Sequence, residues 1–209
     1  MNDLLTPEPA ADPQQRRGND DAPTMRAVVQ DRYGSAASWE IRDVERPAIG
    51  PDEVLVRVAA AGLDRGTWHE MTGRPYLIRA MGFGLRAPKR RTPGRAVAGV
   101  VAAVGADVTH VAVGDRVFGA AVGSFAEYAV ASADKLALAP SAITAELAAA
   151  VPISATTALQ GLRPGGIAAG RRVLILGASG GVGTSAVQSG AVRGKVVIEV
   201  ATTARDSVS

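Results

Sequence analysis

Residues 172–183, Arg-Val-Leu-Ile-Leu-Gly-Ala-Ser-Gly-Gly-Val-Gly, constrain the fold more than any other stretch. The unbroken apolar run Val173 to Leu176 suits a strand buried on both faces, as in a parallel sheet. It passes without a spacer into Gly177-Ala178-Ser179-Gly180-Gly181-Val182-Gly183, and a helical segment of small residues follows. Glycines let a backbone approach an anion closely, and a helix start offers free N–H groups and a positive dipole end. Strand, glycine turn and helix in this order point to the pyrophosphate of a dinucleotide, with Ser179, Gly180, Gly181 and Val182 as its cradle. A tight strand-to-helix turn that binds nothing is the plain alternative. Lys195 to Val200 reads as a second strand, so residues 172–200 form one strand–helix–strand unit near the minimum crossover length. Glu199 falls where an acid holds the ribose in such units, although strand glutamates also simply face solvent.

Upstream the pattern differs. Met25 to Asp31 and Trp39 to Val44 read as a hairpin around Gly34-Ser35. In Glu53 to Val58, the residues Val54, Val56 and Val58 share one face at period two. Val97 to Val104, Asp115 to Phe118, Phe125 to Ala131 and Lys135 to Leu138 add short strands between glycine turns, which indicates a barrel or sandwich. Gly66 to Thr92 holds no period and is long for a connection inside a compact domain. After Pro140 the chain turns helical, over 145–150 with Thr144 as N-cap and over Ile153 to Leu162. The fold class expected is therefore α/β with a large β part.

Charge is unevenly spread along the 209 residues. Residues 1–24 carry five acids against Arg16 and Arg17 and have no apolar period, so a disordered tail is expected there. Residues 65–95 carry eight bases and one acid, Glu70. With few aromatics and no binding module, that stretch reads as a solvated basic loop or one facing an anionic cofactor, not as a nucleic-acid surface. No apolar run approaches the eighteen or so residues of a membrane span, and no secretory leader is evident. Cysteine is absent, which removes disulfides and thiolate chemistry and favours a cytoplasmic location.

Six motifs in order resemble the medium-chain dehydrogenase/reductase superfamily in its zinc-independent, quinone-reductase-like branch. They are Ala60-Ala61-Gly62-Leu63-Asp64, Pro93 to Val101, Val113 to Gly119, Gly123 to Tyr128, Ala149 to Ala158, and the glycine turn. The resemblance implies a GroES-like, partly open β-barrel over 25–150 and a truncated Rossmann unit over 151–209. It also implies NADPH, with NADH possible, as cofactor, and hydride transfer to a small carbonyl, enone or quinone. A homodimer is the macromolecular partner it allows; nucleic acid and membrane are not expected.

The same resemblance assigns residues. Asp64 stands where many relatives carry asparagine near the substrate carbonyl, and is the catalytic candidate; a strand-end turn residue is the alternative. Thr157 matches a position beside the nicotinamide, or is an ordinary helix threonine. In zinc-dependent relatives the metal slots correspond to Asp64, Arg95-Ala96 and Ile153. A fixed cation and an isoleucine cannot build a zinc site, and His69 and His110 fall at no slot, so no metal is expected. Beyond Gln188 the chain runs either as a relative's C-terminal strand after an internal deletion, or as the next Rossmann helix and strand. In the second case Arg205 suits a 2′-phosphate. Either way much of a six-stranded dinucleotide fold is missing. The alternatives are thus an oxidoreductase, expected to turn over little by itself, and an inactive fragment or GroES-like oligomerisation module.

Overall fold

The computed structural model describes residues 23–164, 173–189 and 196–199. The tail expected over 1–24 lies almost wholly outside these residues, as do Arg205 and the side chain of Glu199.

Strands β1 (Thr24–Gln30) and β2 (Trp39–Glu45) form the anticipated antiparallel hairpin. A five-stranded antiparallel sheet follows, from β3 (Glu53–Gly62), β4 (Ala96–Val104), β5 (Arg116–Ala120), β6 (Tyr128–Ser132) and β7 (Leu136–Leu138), in the order β6-β3-β4-β5-β7. Backbone bonds from Val28 to the Phe125 carbonyl and from Glu127 to the Arg26 carbonyl tie the hairpin to the segment before β6. Phe125 to Glu127 are therefore not in β6, as the alternation suggested: their backbone is shared between the hairpin, Pro93 and Val58 of β3.

Valine dominates the centre. Val54, Val56, Val97, Val101 and Val117 are fully buried together, because β-branched side chains pack well on a pleated surface. Leu55 points the other way, onto Met25 and Tyr128, so β3 is covered on both faces. Its register against β4 shifts between Leu55 and Val56 and again between Val58 and Ala60. Small residues allow close approach elsewhere: Ala98 of β4 packs on Ala148 and Ala149 of helix α2 (Ala145–Ala150).

Thr144 caps α2 as anticipated, its hydroxyl accepting from the Leu147 N–H at 3.3 Å. Helix α3 (Pro152–Leu162) begins immediately afterwards, with proline at its first position. Strand β8 (Val173–Leu176), helix α4 (Gly181–Ser189) and strand β9 (Val196–Glu199) close the described chain, with β8 and β9 parallel and in register. Burial in β8 differs from the expectation. Leu174 and Leu176 are exposed, so among the described residues the strand is covered on one face only.

Helix α1 (Arg65–Thr72) was not legible as periodicity. It is short and carries glycine, threonine and tryptophan in place of strong helix formers, so its N-cap starts it more than its propensity does. Helical turns over 77–83 were likewise hidden, being broken by Gly82 at φ 107°.

Two glycines separate packing from propensity. A Cβ on Gly99 would lie 2.1 Å from the Arg57 carbonyl oxygen, whereas one on Gly161 in α3 meets nothing within 4 Å. Gly99→Ala should therefore cost about 2 kcal/mol or more, and Gly161→Ala should stabilise by about 0.5–1 kcal/mol. Thermal melts should move in opposite directions, by roughly 2–4 °C per kcal/mol; a shared direction would contradict the packing described.

Candidate functional site

Asp64 sits two residues past the end of β3 and is the N-cap of α1. Its Oδ1 accepts from the Thr67 N–H at 3.0 Å. This is the turn role that the sequence left as the alternative, but it uses only one oxygen. Asp64 Oδ2 is buried and has no hydrogen-bond partner, and neither has the buried hydroxyl of Thr67. Buried polar atoms rarely stay unpaired, so these two mark a polar spot beside a charged cluster.

That cluster is Asp64, Glu70 and Arg95. Glu70 lies on the same helix as Thr67, and Arg95 stands 3.8 Å from its carboxylate. A Cβ built on Gly66 would lie 2.8 Å from Asp64 Oδ1 and 3.4 Å from an Arg95 nitrogen, so the groups converge where glycine leaves room. Burial raises the Glu70 carboxyl above its ordinary value, and Asp64 adds to the rise; Arg95 and Arg90 pull it down. Neither Glu70 nor Arg95 was picked from sequence as part of a polar site. The available signal was Arg95 itself, a fixed cation at a slot where zinc relatives hold a ligand.

A second group assembles around the glycine turn. Ser179, Gly180, Gly181 and Val182 are all exposed at the start of α4. A Cβ on Gly183 would lie 2.3 Å from the Gly177 carbonyl oxygen, so this glycine lets helix and strand pack closely. Gly180 differs: its Cβ direction meets only the Gly177 oxygen at 3.4 Å, ordinary contact, and is otherwise open. Gly181 faces Ser154 of α3, whose hydroxyl would lie 2.7 Å from an added Cβ. Ser154 and Thr157 are three apart on α3, hence neighbours along that helix. Thr157 is exposed, and its hydroxyl donates to the Ile153 carbonyl at 2.7 Å.

His69 and His110 point ring nitrogens at the carbonyls of Arg74 (2.6 Å) and Ala133 (2.9 Å). Among the described residues no three metal-ligating side chains gather. No helix among them is long and apolar enough to cross a membrane.

Residues 50–141 match the alcohol dehydrogenase GroES-like domain. A 2-methylene-furan-3-one reductase of Solanum lycopersicum is 33% identical, over 78% of this chain and 43% of its own length. A quinone oxidoreductase of Sus scrofa is 34% identical, over 86% of this chain and 53% of its own. Mycobacterial Rv1454c, solved in complex with NADPH, superposes with a TM-score of 0.72 at 28% identity, covering 86% of this chain and 54% of that one. The chain thus spans about half the length of each of these three proteins.

Glu70 supplies a test of the cluster's electrostatics. Because its folded-state value is raised, the native state holds the proton more tightly than the unfolded chain. Its favourable contribution is complete below the unfolded value and is lost as pH rises through the folded one. Glu70→Gln stays neutral, so its urea midpoint should fall less than that of the wild type as pH climbs from 4.5 towards 7. Parallel pH profiles for the two proteins would show that Glu70 is not strained by burial.

Proposed function

Because the chain belongs to the quinone-reductase-like branch of the medium-chain dehydrogenase/reductase superfamily, we propose that it serves hydride transfer from a nicotinamide dinucleotide to a small enone or quinone. In this reading residues 25–150 form the half that meets the substrate, and 151–209 open the dinucleotide-binding half. The zero cysteine count suits a reducing compartment, the cytoplasm being the simplest.

The observation that carries the reading is the open side of Gly180 at the N-terminus of a nine-residue helix. Backbone there can meet a pyrophosphate without obstruction, and the helix start supplies N–H donors and a favourable dipole. Ser179 adds a hydroxyl, while Gly181 and Val182 carry the first helical N–H groups. NADPH, the cofactor seen in the mycobacterial neighbour's complex, or NADH would supply a hydride from nicotinamide C4 to the electrophilic carbon.

The chain's own groups then divide the remaining work. The Thr157 hydroxyl already donates its hydrogen bond to the Ile153 carbonyl, so its lone pairs are left to accept from an amide N–H such as the carboxamide of nicotinamide. A carboxylate only accepts hydrogen bonds, so Asp64 cannot do what an asparagine does for a developing oxyanion. Its free Oδ2 instead suits a hydroxyl, either of a ribose or of a reduced enol or hydroquinone. The donor for negative charge developing on oxygen is the neighbouring Arg95 guanidinium, held near the cluster by Glu70.

The test is label transfer under single-turnover conditions, with NADPH deuterated at C4 and a panel of small enones. Deuterium should appear on the β-carbon of the reduced product. By itself the 209-residue chain should work below the ordinary range of roughly 1–1000 s⁻¹, because two parallel strands give only part of a dinucleotide crevice. NADPH consumption without label in the product, or no reduced product at all, would contradict the proposal.

A further inference from the structure

The basic stretch that the sequence could not place takes on a shape in the fold. Residues 65–95 hold eight bases and one acid, and that acid, Glu70, is already engaged by Arg95. Within the same stretch Tyr76, Leu77, Met81 and Leu85 are 65%, 69%, 70% and 72% exposed. Isolated exposed apolar residues are ordinary; four large ones within ten residues are not.

The backbone beneath them is held in place. The Tyr33 hydroxyl lies 2.8 and 2.7 Å from the carbonyls of Phe83 and Gly84. Arg79 donates to the Gly73 carbonyl at 2.9 Å, with its guanidinium 4.2 Å from the Tyr33 ring and 4.8 Å from that of Tyr76. Leu77 opens the helical turns over 77–83, and Met81 stands at the kink that Gly82 introduces in them. Cations border these side chains. Lys89 and Arg90 share with Met81 and Phe83 the lining of a cavity of about 260 Å³, and Arg74 lies 5.9 Å from the Tyr76 ring. Arg86 and Lys89 have no acidic side-chain partner among the described residues.

We propose that the segment Tyr76–Arg90 docks the protein peripherally on an anionic lipid surface, with Leu77, Met81 and Leu85 entering the acyl boundary and Arg86, Lys89 and Arg90 meeting phosphate headgroups. The proposal is independent of the hydride-transfer reading. Aliphatic tips ringed by cations fit lipid, where apolar burial and headgroup charge act together. Nucleic acid would take the cations but leave three aliphatic side chains in water, because bases are held by aromatic stacking. A second copy would bring the four cations of this segment against the same four. The expectation of no membrane partner rested on the lack of a span, and docking of this kind needs none.

The experiment is flotation of the 209-residue chain with vesicles of phosphatidylcholine, alone or with 30–40% (about one third) phosphatidylglycerol. The chain should float with the anionic vesicles only, and about 0.5 M salt should release much of it. Arg86→Gln combined with Lys89→Gln should weaken binding about 25-fold, and Leu77→Ser with Leu85→Ser at least about tenfold. All four side chains are exposed in the fold, so melting should not change, and Ile41→Ser, an exposed site on β2, should bind as the wild type does. No flotation with anionic vesicles, equal flotation with neutral ones, oligonucleotide binding in its place, or indifference to both double variants would overturn the proposal.

Discussion

The backbone of Gly62 lies against the carbonyl of Ala149, and the rest of the arrangement depends on that contact. A Cβ on Gly62 would stand 2.4 Å from this oxygen and 2.9 Å from the Ala96 side chain, so no other residue lets β3, β4 and α2 meet so closely. Ala98, Ala148 and Ala149 continue the same seam of small residues. From it the chain leaves in two directions. Two residues past Gly62 stands Asp64 with its cap on α1, and three residues past Ala149 Pro152 opens α3, which carries Ser154 to the glycine turn. Close backbone packing thus fixes the starting points of both polar groups.

What the sequence revealed follows the strength of local signals. The valine strands, the Thr144 cap, the β8–turn–α4 unit and its parallel pairing with β9 were all legible, because period, cap chemistry and glycine spacing act within a few residues. Helix α1 and the turns over 77–83 were not, since their composition opposes helix and distant residues hold them: Gln30 bonds Met71 of α1, and Tyr33 bonds Phe83. The long basic loop read as unstructured for the same reason. Its anchors lie some forty to fifty residues away on the β1 side, beyond the reach of any window.

At the site, legibility was uneven in another way. The glycine turn followed from spacing, and its Gly181 faces Ser154 on α3, the helix that also carries Thr157. Asp64 was identified through resemblance, and the structure adds the fact that changes its chemistry: one oxygen is used by the cap and the other is buried and unpaired. In the function proposed, an acceptor at Asp64 leaves the positive end of the site to Arg95. Glu70 is the counterweight, an acid kept half-buried beside two arginines and raised in pKa by that burial. Such a cluster depends on α1 and its cap meeting Arg95 just before β4, so no single stretch of sequence announces it.

The central claim is that this chain presents a dinucleotide cradle at the start of α4. Calorimetric titration of NADPH into the wild type and Gly180→Val tests it most directly. Valine at 180 meets no backbone obstruction, so melting should be unchanged while its side chain fills the space meant for phosphate. Saturable wild-type binding between roughly 1 μM and 1 mM, weakened at least about tenfold in the variant, is the result expected. No heat of binding in the wild type, or equal affinity in both proteins, would contradict the account.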